Sequence, residues 1–262
     1  MENNDLKKIF QIQKVLQEAG YTDISRISNE IYDFCQETST PLDTVLTRIS
    51  KQEPWEYIRG YTEFCGNRIF VTKDTLIPRI ETEQLVSMAL DLINKEKFST
   101  VIDVGTGSGC IIISIAKQLK EYSPNLIALD ISKEALEVAK NNAKKNNVEK
   151  LIDFRNSNLL ENIEVKDKEN VLMVANLPYI PQNIYDNLDK SVKDYEPKTA
   201  LLAGENGMLY YNQLFKQAKE MFSKATLLIE IDPSIKKEGH LKDALIFQDI
   251  YGLDRFALIR LL

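Results

Sequence analysis

Hydrophobic positions recur at the three- to four-residue spacing of amphipathic helices throughout residues 1–60. Gly20 can end the first helix, Thr22 or Asp23 can cap the second, and Pro41 can open a third. No strand pattern interrupts these segments, so residues 1–60 are predicted to form a small helical bundle. Its apolar faces are Leu6, Ile9, Phe10, Ile12, Val15 and Leu16; Ile24, Ile27, Ile31 and Phe34; and Leu42, Val45, Leu46 and Ile49.

Beyond this segment the hydrophobic period changes to that of strands. Residues 61–75 alternate around Gly66-Asn67 and are predicted to form a hairpin linker. From 76 to 262, strand patterns alternate with helical ones, which predicts a Rossmann-like α/β domain with a mostly parallel sheet. The last two strands lie too close together for a helical crossover and should pair antiparallel. The seven candidate strands are 100–104, 125–130, 151–155, 170–175, 225–231, 243–248 and 255–261, and the helices include 81–94, 108–121 and 132–147.

The composition is that of a globular protein, with 44% hydrophobic and 27% charged residues among 262. No apolar run reaches the roughly 18 residues needed to span a bilayer. The polar N-terminus lacks a signal-peptide core, so a cytoplasmic enzyme without a membrane partner is expected. The net charge of −6 argues against a sequence-independent grip on nucleic acid, which needs Lys and Arg at the phosphates.

Metal and disulfide chemistry finds little support in the sequence. Cys35, Cys65 and Cys110 are odd in number and lack paired spacing, so reduced thiols are expected. His240 is the only histidine and stands in a Lys/Glu/Gly-rich stretch, where a solvated loop position is expected. No metal site is therefore predicted.

A glycine-rich turn, Gly105–Gly109, follows the first strand of the alternating region. Its spacing is G-x-G-x-G, whereas dinucleotide loops use G-x-G-x-x-G to bring a pyrophosphate to a helix N-terminus. Asp103 lies two residues ahead of the turn. S-adenosylmethionine carries no phosphate, and its ammonium group can be bound by an acid near such a loop. The turn therefore favours S-adenosylmethionine over a dinucleotide.

Asp130 ends the next strand, about 20 residues beyond the last glycine of the turn, where a carboxylate reaches ribose hydroxyls. This spacing supports the same cofactor. The alternative is that Asp130 merely caps the helix at 132–147.

A polar tetrad, Asn176-Leu177-Pro178-Tyr179, follows the fourth strand. Open α/β sheets bind their ligands at the carboxyl ends of strands. The Asn176 amide oxygen and the Leu177 carbonyl can accept both hydrogens of a substrate –NH2 group, and Pro178 holds Leu177 extended. Tyr179 offers a flat face to a planar group. The alternative is an ordinary strand exit fixed by proline.

Four motifs together resemble one family. The tetrad resembles the (Asn/Asp)-Pro-Pro-(Tyr/Phe) motif of amino-methyltransferases, and residues 76–83 are similar to the L-I-P-R-P-[DE]-T-E signature of the HemK/PrmC release factor glutamine methyltransferases. Residues 196–208 are similar to the E-P-x-x-A-L-x-G-G-x-D-G-L segment of that family. Asp249, Gly252 and Arg255 match its D-x-x-G-x-x-R ending.

The resemblance covers about residues 50 to 262 and implies an S-adenosylmethionine-dependent methyltransferase acting on a glutamine side-chain amide of peptide chain release factors. It implies that the N-terminal helices recognise the protein substrate and that the tetrad binds the amide. The chain departs from the family pattern at Leu177, Asn158, Ile80, Ala203, Asn206 and Asp232. The cofactor residues implied are Asp103, Gly105, Thr106, Gly107, Ser108, Gly109, Asp130, Asn158, Leu159 and Asn176.

Two other interpretations remain open at the level of sequence. The corresponding motif of ribosomal RNA adenine dimethyltransferases also has the sequence Asn-Leu-Pro-Tyr. An adenine flipped out of its base stack could lie against the Tyr179 ring. That family begins almost at the glycine loop and lacks the segments near Pro78 and Glu196. The second alternative is a protein with a methyltransferase-like fold that only binds a partner. The presence of Asn176 and Asp130 is evidence against it.

Overall fold

A computed structural model describes residues 3–119, 122–161, 163–235 and 239–261. The chain divides into two compact units. The first contains the residues up to Tyr61 together with Asp189–Tyr195, and the second contains Thr62–Leu188 and Glu196 onward. Asp189–Tyr195 thus groups with the N-terminal residues although it lies within the 76–262 stretch of the sequence. The side chain of His240 lies outside the described part of the chain.

The N-terminal residues fold as helices, as their spacing predicts. The Asp23 side chain does not cap the second helix, because its Oδ2 accepts a 2.6 Å hydrogen bond from Arg26 Nε instead. Trp55 is buried, and its indole nitrogen donates to Glu30 Oε2 at 2.9 Å. These helices are α1 (Asn3–Glu18), α2 (Ile24–Thr38), α3 (Leu42–Ser50) and α4 (Trp55–Arg59).

A hairpin follows, formed by β1 (Tyr61–Phe64) and β2 (Asn67–Phe70). Cys65 and Gly66 both have positive φ, the conformation that a two-residue type I′ turn requires, so the turn lies one residue earlier than the Gly66-Asn67 pair. The remaining elements are α5 (Thr82–Glu96), β3 (Thr100–Val104), α6 (Cys110–Gln118), β4 (Asn125–Asp130), α7 (Lys133–Lys145), β5 (Ile152–Asn156), β6 (Val171–Ala175), α8 (Gln182–Tyr185), α9 (Lys190–Lys193), α10 (Leu209–Met221), β7 (Ala225–Glu230), β8 (Leu245–Gln248) and β9 (Asp254–Leu261).

The described strands β3 to β9 form a seven-stranded sheet of order β5-β4-β3-β6-β7-β9-β8. Strands β3 to β7 are parallel, whereas β9 runs antiparallel to both of its neighbours. The predicted α/β class, the seven strands and the antiparallel final pair are confirmed. No helix within the described ranges has the length and apolar character needed to cross a bilayer.

Hydrophobic layers cover both faces of this sheet. Along β3, Val101 points into the layer formed with α5 and α6, while Ile102 and Val104 point into the layer formed with α10. Because both faces are covered, the central strands are apolar at nearly every position. That pattern explains why the sequence of this region reads as short continuous hydrophobic runs.

The topological switch point of the sheet lies between β3 and β6. After β3 the chain adds β4 and β5 on one side, and it then returns to place β6 on the other side. Val104 is paired in register with Ala175, so Gly105 and Asn176 leave adjacent strands at the same edge. Open α/β sheets bind ligands at such a point.

Candidate active site

A cavity of about 200 Å³ opens at this edge of the sheet. Its walls come from the turns after β3, β4, β5 and β6 and from the segments near residues 74–82 and 197–200. The structure therefore brings together residues that are far apart in sequence. The predicted site residues that line the cavity are Gly105, Thr106, Gly107, Ser108, Asp130, Asn158, Leu159, Asn176, Leu177 and Pro178, whereas Asp103, Gly109 and Tyr179 do not line it.

The three glycines of the turn all have positive φ, but they differ in what surrounds them. A Cβ at Gly105 would lie 2.7 Å from Leu177 Cδ2, and one at Gly109 would lie 3.1 Å from Ala139 Cβ on α7. A Cβ at Gly107 would meet nothing within 4 Å. Gly105 and Gly109 thus permit close packing, while Gly107 exposes bare backbone to the cavity.

Asp130 is tied to the glycine turn by its carboxylate. Its Oδ2 accepts from Gly107 N at 2.8 Å, and its Oδ1 accepts from Ser132 N at 2.9 Å. Burial raises the pKa of Asp130, and these backbone N–H groups oppose that shift. Ser132 caps α7 by accepting from Ala135 N at 3.0 Å, so capping does not account for Asp130. Each Asp130 oxygen keeps a lone pair for a ligand hydroxyl.

Asp103 lies beneath the turn and does not line the cavity, so its predicted contact with a cofactor ammonium group stays a prediction. Thr106 Oγ1 donates to its Oδ2 at 2.6 Å. Its Oδ1 is buried and has no hydrogen-bond partner in the described part of the chain. Burial raises the pKa of Asp103 to about 7. An unpaired buried acceptor of this kind is costly, and a nearby cation would relieve it.

The turn after β5 adds the remaining predicted cofactor residues. Leu159 lies on the cavity wall with a left-handed backbone, φ 53°, a conformation uncommon outside glycine. The Asn158 side chain also lines the cavity and donates to Glu161 Oε1 at 3.0 Å. This turn therefore closes the side of the cavity next to Asp130.

The orientation of the Asn176 amide follows from its neighbours. Thr82 Oγ1 donates its only hydrogen to Glu230 Oε2 at 2.7 Å. Since that hydrogen is committed, Thr82 can only accept from Asn176, and Asn176 Nδ2 donates to it at 3.1 Å. The nitrogen end of the amide thus faces Thr82, which leaves Asn176 Oδ1 as the acceptor available to a ligand.

Leu177 is held through the buried Tyr211. Leu177 N donates to the Tyr211 hydroxyl at 3.1 Å, and that hydroxyl donates to the backbone carbonyl of Glu230. The Leu177 carbonyl lies 3.5 Å from the same hydroxyl, whose single hydrogen is already used by Glu230. The Leu177 carbonyl therefore keeps its capacity to accept a hydrogen bond.

Tyr179 does not present its ring to this cavity, contrary to expectation. It packs against the buried layer that contains α10, and its hydroxyl lies 3.5 Å from Glu230 Oε1. Burial, together with the nearby Glu230 carboxylate, raises the pKa of Tyr179. The ring of Tyr179 therefore supports the tetrad from the side of α10 and Glu230.

The flanking motifs are joined to the tetrad by hydrogen bonds. Glu196 is buried, and it accepts from Arg79 Nη2 at 2.5 Å and from Ile77 N at 3.1 Å. Ile180 and Ala203 exchange backbone hydrogen bonds with the segment opposite, Ile180 N donating to Leu201 O at 3.0 Å and Ala203 N to Ile180 O at 2.9 Å. Residues 76–83 and 196–208 thus build the frame around residues 176–180.

Sequence reasoning missed residues that act behind the cavity wall. Glu230 is the most informative, because it is a buried acid at the carboxyl end of the otherwise apolar strand β7, directly beside β6. Asn142 on α7 is fully buried and donates to Ser108 O at 2.8 Å, which supports the glycine turn from behind. A charged residue at the end of an apolar strand was the signal available for Glu230, whereas Asn142 stands in a polar stretch of α7 whose sequence gives no such signal.

The fold and the site define a methyltransferase class: a seven-stranded Rossmann-like sheet with a G-x-G-x-G turn after one strand and an Asn-x-Pro-Tyr turn after its neighbour. Residues 80–201 match the family described as "Ribosomal protein L11 methyltransferase (PrmA)". The catalytic domain of hMettl16, solved in complex with a MAT2A 3′UTR hairpin, is similar in fold, with a TM-score of 0.54, 20% identity and coverage of 74% of each chain.

Relatives at higher identity define the family more narrowly. A release factor glutamine methyltransferase of Enterococcus faecalis is 37% identical over 85% of this chain and 81% of its own length. One from Flavobacterium psychrophilum is 35% identical over 81% of this chain and 77% of its own length. The chain belongs to the release factor glutamine methyltransferase family, and the resemblance seen in its four motifs is confirmed.

Proposed function

We propose that this chain transfers a methyl group from S-adenosylmethionine to the side-chain amide nitrogen of a glutamine in peptide chain release factors. One observation carries the proposal: the Asn176 amide nitrogen is held by Thr82, which leaves its oxygen as the acceptor, and both Asn176 and Leu177 line the cavity together with the glycine turn. Two acceptors side by side match the two hydrogens of a primary amide.

The residues around the cavity fit S-adenosylmethionine, which when bound supplies an activated methyl group on a sulfonium centre. Gly107 offers open backbone, Asp130 offers carboxylate lone pairs for ribose hydroxyls, and the unpaired Asp103 Oδ1 offers compensation to an ammonium group. Asn158 and Leu159 would hold the adenine side. Thr106 and Ser108 complete the turn that holds the cofactor.

The chain's contribution to the reaction is positioning and electrostatic. An amide nitrogen is a weak nucleophile, because its lone pair is delocalised into the carbonyl group. Holding its –NH2 group between Asn176 Oδ1 and the Leu177 carbonyl would fix its position and stabilise positive charge that develops on it. Pro178 would keep Leu177 extended, while Tyr179 would act through Glu230. The N–H proton that the methyl group replaces would be lost to water, so the scheme includes no dedicated general base.

The N-terminal unit would recognise the body of the release factor, while the sheet domain presents the cavity. Support comes from the separate compact unit formed by the N-terminal helices and from the family to which the chain belongs. On this proposal residues 1–60 form the recognition domain, 61–75 the linker and 76–262 the methyltransferase domain. A cytoplasmic location fits a substrate of the translation machinery.

Methyl transfer to purified release factor, compared with transfer to ribosomal RNA, separates the proposed function from its rivals. The proposed function predicts methylation of a single release factor glutamine, located by peptide mass spectrometry, and none of RNA. Transfer to RNA alone would favour the adenine methyltransferase. Cofactor binding without transfer to either would favour a binding protein.

A further inference from the structure

Two acceptors can select an amide only if both are held in place. The Asn176 amide is nearly symmetric in shape, so a half-turn would exchange its oxygen for its –NH2 group and present donors to the cavity. Packing discriminates poorly between these two states, whereas hydrogen bonding separates them. The groups that hydrogen-bond to the far side of Asn176 and Leu177 therefore decide what the cavity can bind.

Glu230 is the common end of both lines of hydrogen bonds. Its carboxylate accepts from Thr82 Oγ1, which accepts from Asn176 Nδ2. Its backbone carbonyl accepts from the Tyr211 hydroxyl, which accepts from Leu177 N. One residue at the end of β7 thus holds both proposed acceptors of the neighbouring β6 turn.

The direction of the first line follows from chemistry. A carboxylate can only accept, so the Thr82 hydrogen points to Glu230 and its lone pairs point to Asn176. The amide nitrogen must then face Thr82. Removing the Thr82 hydroxyl would remove the group that distinguishes the two amide orientations, while both proposed acceptors, Asn176 Oδ1 and the Leu177 carbonyl, stay in the chain.

We propose that Thr82 and Glu230 form a positioning pair that sets the orientation of the Asn176 amide and thereby the preference of the cavity for a glutamine amide over a carboxylate. This inference rests on the proposed function. Neither residue needs to touch the transferred methyl group. Thr82 acts through Asn176, and Glu230 acts through Thr82 and Tyr211.

A substrate isostere tests the proposal. The glutamine methylated by the wild-type chain is located by mass spectrometry and replaced with glutamate in the release factor. A cavity that presents two acceptors should reject the carboxylate, so the wild-type chain should bind the glutamine form much more tightly. In Thr82→Val the Asn176 amide is free to turn and can offer its –NH2 group to the carboxylate. The dissociation constant of the glutamate form divided by that of the glutamine form should therefore be roughly tenfold smaller in Thr82→Val than in the wild-type chain.

Kinetics and controls accompany this binding measurement. Thr82→Val should lower kcat by about tenfold or more while cofactor affinity stays unchanged. Thr82→Ser keeps the hydroxyl, so its kcat and its ratio of dissociation constants should be those of the wild-type chain. Thr226→Val is the matched control, since Thr226 is buried on the same strand as Glu230 but hydrogen-bonds to Arg260. It should alter neither quantity.

Each result decides the proposal. A wild-type binding ratio and kcat in Thr82→Val, or equal losses in Thr82→Val and Thr82→Ser, would overturn the positioning pair while leaving the proposed function intact. No transfer to the release factor by the wild-type chain would overturn the proposed function and this inference with it. If Thr82→Val fails to fold, Glu230→Gln decides, because its –NH2 group can donate to Thr82 and free the Thr82 hydrogen for Asn176. The inference expects a smaller difference between the two dissociation constants at unchanged cofactor affinity, and a wild-type difference would contradict it.

Discussion

Asn176 occupies a position where a side-chain amide has a direct chemical use. The Asn176 amide nitrogen donates to Thr82, and its oxygen is the proposed acceptor. Replacing Asn176 with alanine would remove that oxygen and leave the glycine turn intact. We expect Asn176→Ala to lower methyl transfer about 100-fold or more, in the range seen when one charge-stabilising group is lost. Cofactor affinity, measured by calorimetry, should change little.

The exposed Asn183 on α8 gives the matched control, and Asn183→Ala should leave both quantities at wild-type values. Equal losses of transfer and cofactor affinity in Asn176→Ala would instead mean that Asn176 supports the fold of the site.

Asp103 makes stability depend on pH. Burial raises its pKa in the folded state to about 7, above the ordinary value of 3.8, so the folded protein binds this proton more tightly than the unfolded chain does. The corresponding contribution is fully present below about pH 4 and is lost as the pH rises towards 7, by at most about 1.4 kcal/mol per pH unit.

Asp103→Asn should therefore gain stability relative to the wild-type chain as the pH rises from about 4 to 7, with a constant difference above that range. Urea unfolding at several pH values measures this difference. Parallel stability curves for the two proteins would show that Asp103 ionises in the folded state as it does in the unfolded chain.

At the residue scale, the sequence predicted the groups on the cavity wall better than those behind it. Asp130 ends an apolar strand, and Asn176 and Leu177 follow another. Open α/β sheets bind ligands at the carboxyl ends of their strands, so the sequence alone indicated these residues. Thr82 belongs to the 76–83 motif, but its hydrogen bonds to Glu230 and Asn176 join the start of α5 to the ends of β7 and β6, which only the fold brings together. A chain of hydrogen bonds that joins three elements produces no periodic pattern in the sequence of any one of them.

The glycine turn is the element that most constrains the site. Gly107 has φ 55°, and a Cβ there would enter open space within the cavity. We expect Gly107→Ala to cost about 1–2 kcal/mol of stability, because an L residue is strained in the left-handed region, and to weaken cofactor binding as well. Chemical unfolding and calorimetry measure the two effects separately.

Gly252, in the turn between β8 and β9, provides the comparison. It has φ 79°, and a Cβ there would also meet nothing within 4 Å, but Gly252 does not line the cavity. Gly252→Ala should show a similar loss of stability with unchanged cofactor affinity. A similar loss of cofactor affinity in both variants would contradict the role assigned to Gly107.

At the element scale, periodicity was sufficient to place the strands of the sheet and the antiparallel final pair. The side-chain cap predicted for α2 at Asp23 is absent, because the Asp23 carboxylate forms an ion pair with Arg26 instead. Nor did periodicity reveal that Asp189–Tyr195 groups with the N-terminal unit. Such a short segment contains too few positions for its pattern to report which unit it joins.

At the scale of the whole molecule, the proposed division of labour can be tested on the surface of the N-terminal unit. Phe10 was predicted to lie on the apolar face of the first helix, but its side chain on α1 is 68% exposed, so its ring can contact a partner. If this unit recognises the release factor, Phe10→Ser should raise KM for the whole protein substrate about fivefold, the effect expected from losing one aromatic anchor. Steady-state kinetics measures it.

A short glutamine peptide and a second surface variant provide the controls. KM for the peptide should not change in Phe10→Ser, because the peptide engages only the cavity. Phe247→Ser, which replaces an exposed aromatic residue on β8, should leave both KM values unchanged. An unchanged KM of Phe10→Ser for the whole release factor would exclude this face of α1 from recognition.

The most direct test of the account is the crystal structure of the chain with S-adenosylhomocysteine and a glutamine peptide. The proposed function predicts the cofactor product against Gly105–Gly109 and the glutamine nitrogen within about 3.2 Å of both Asn176 Oδ1 and the Leu177 carbonyl. A glutamine nitrogen bound away from these two oxygens, or a cofactor product bound elsewhere, would contradict it.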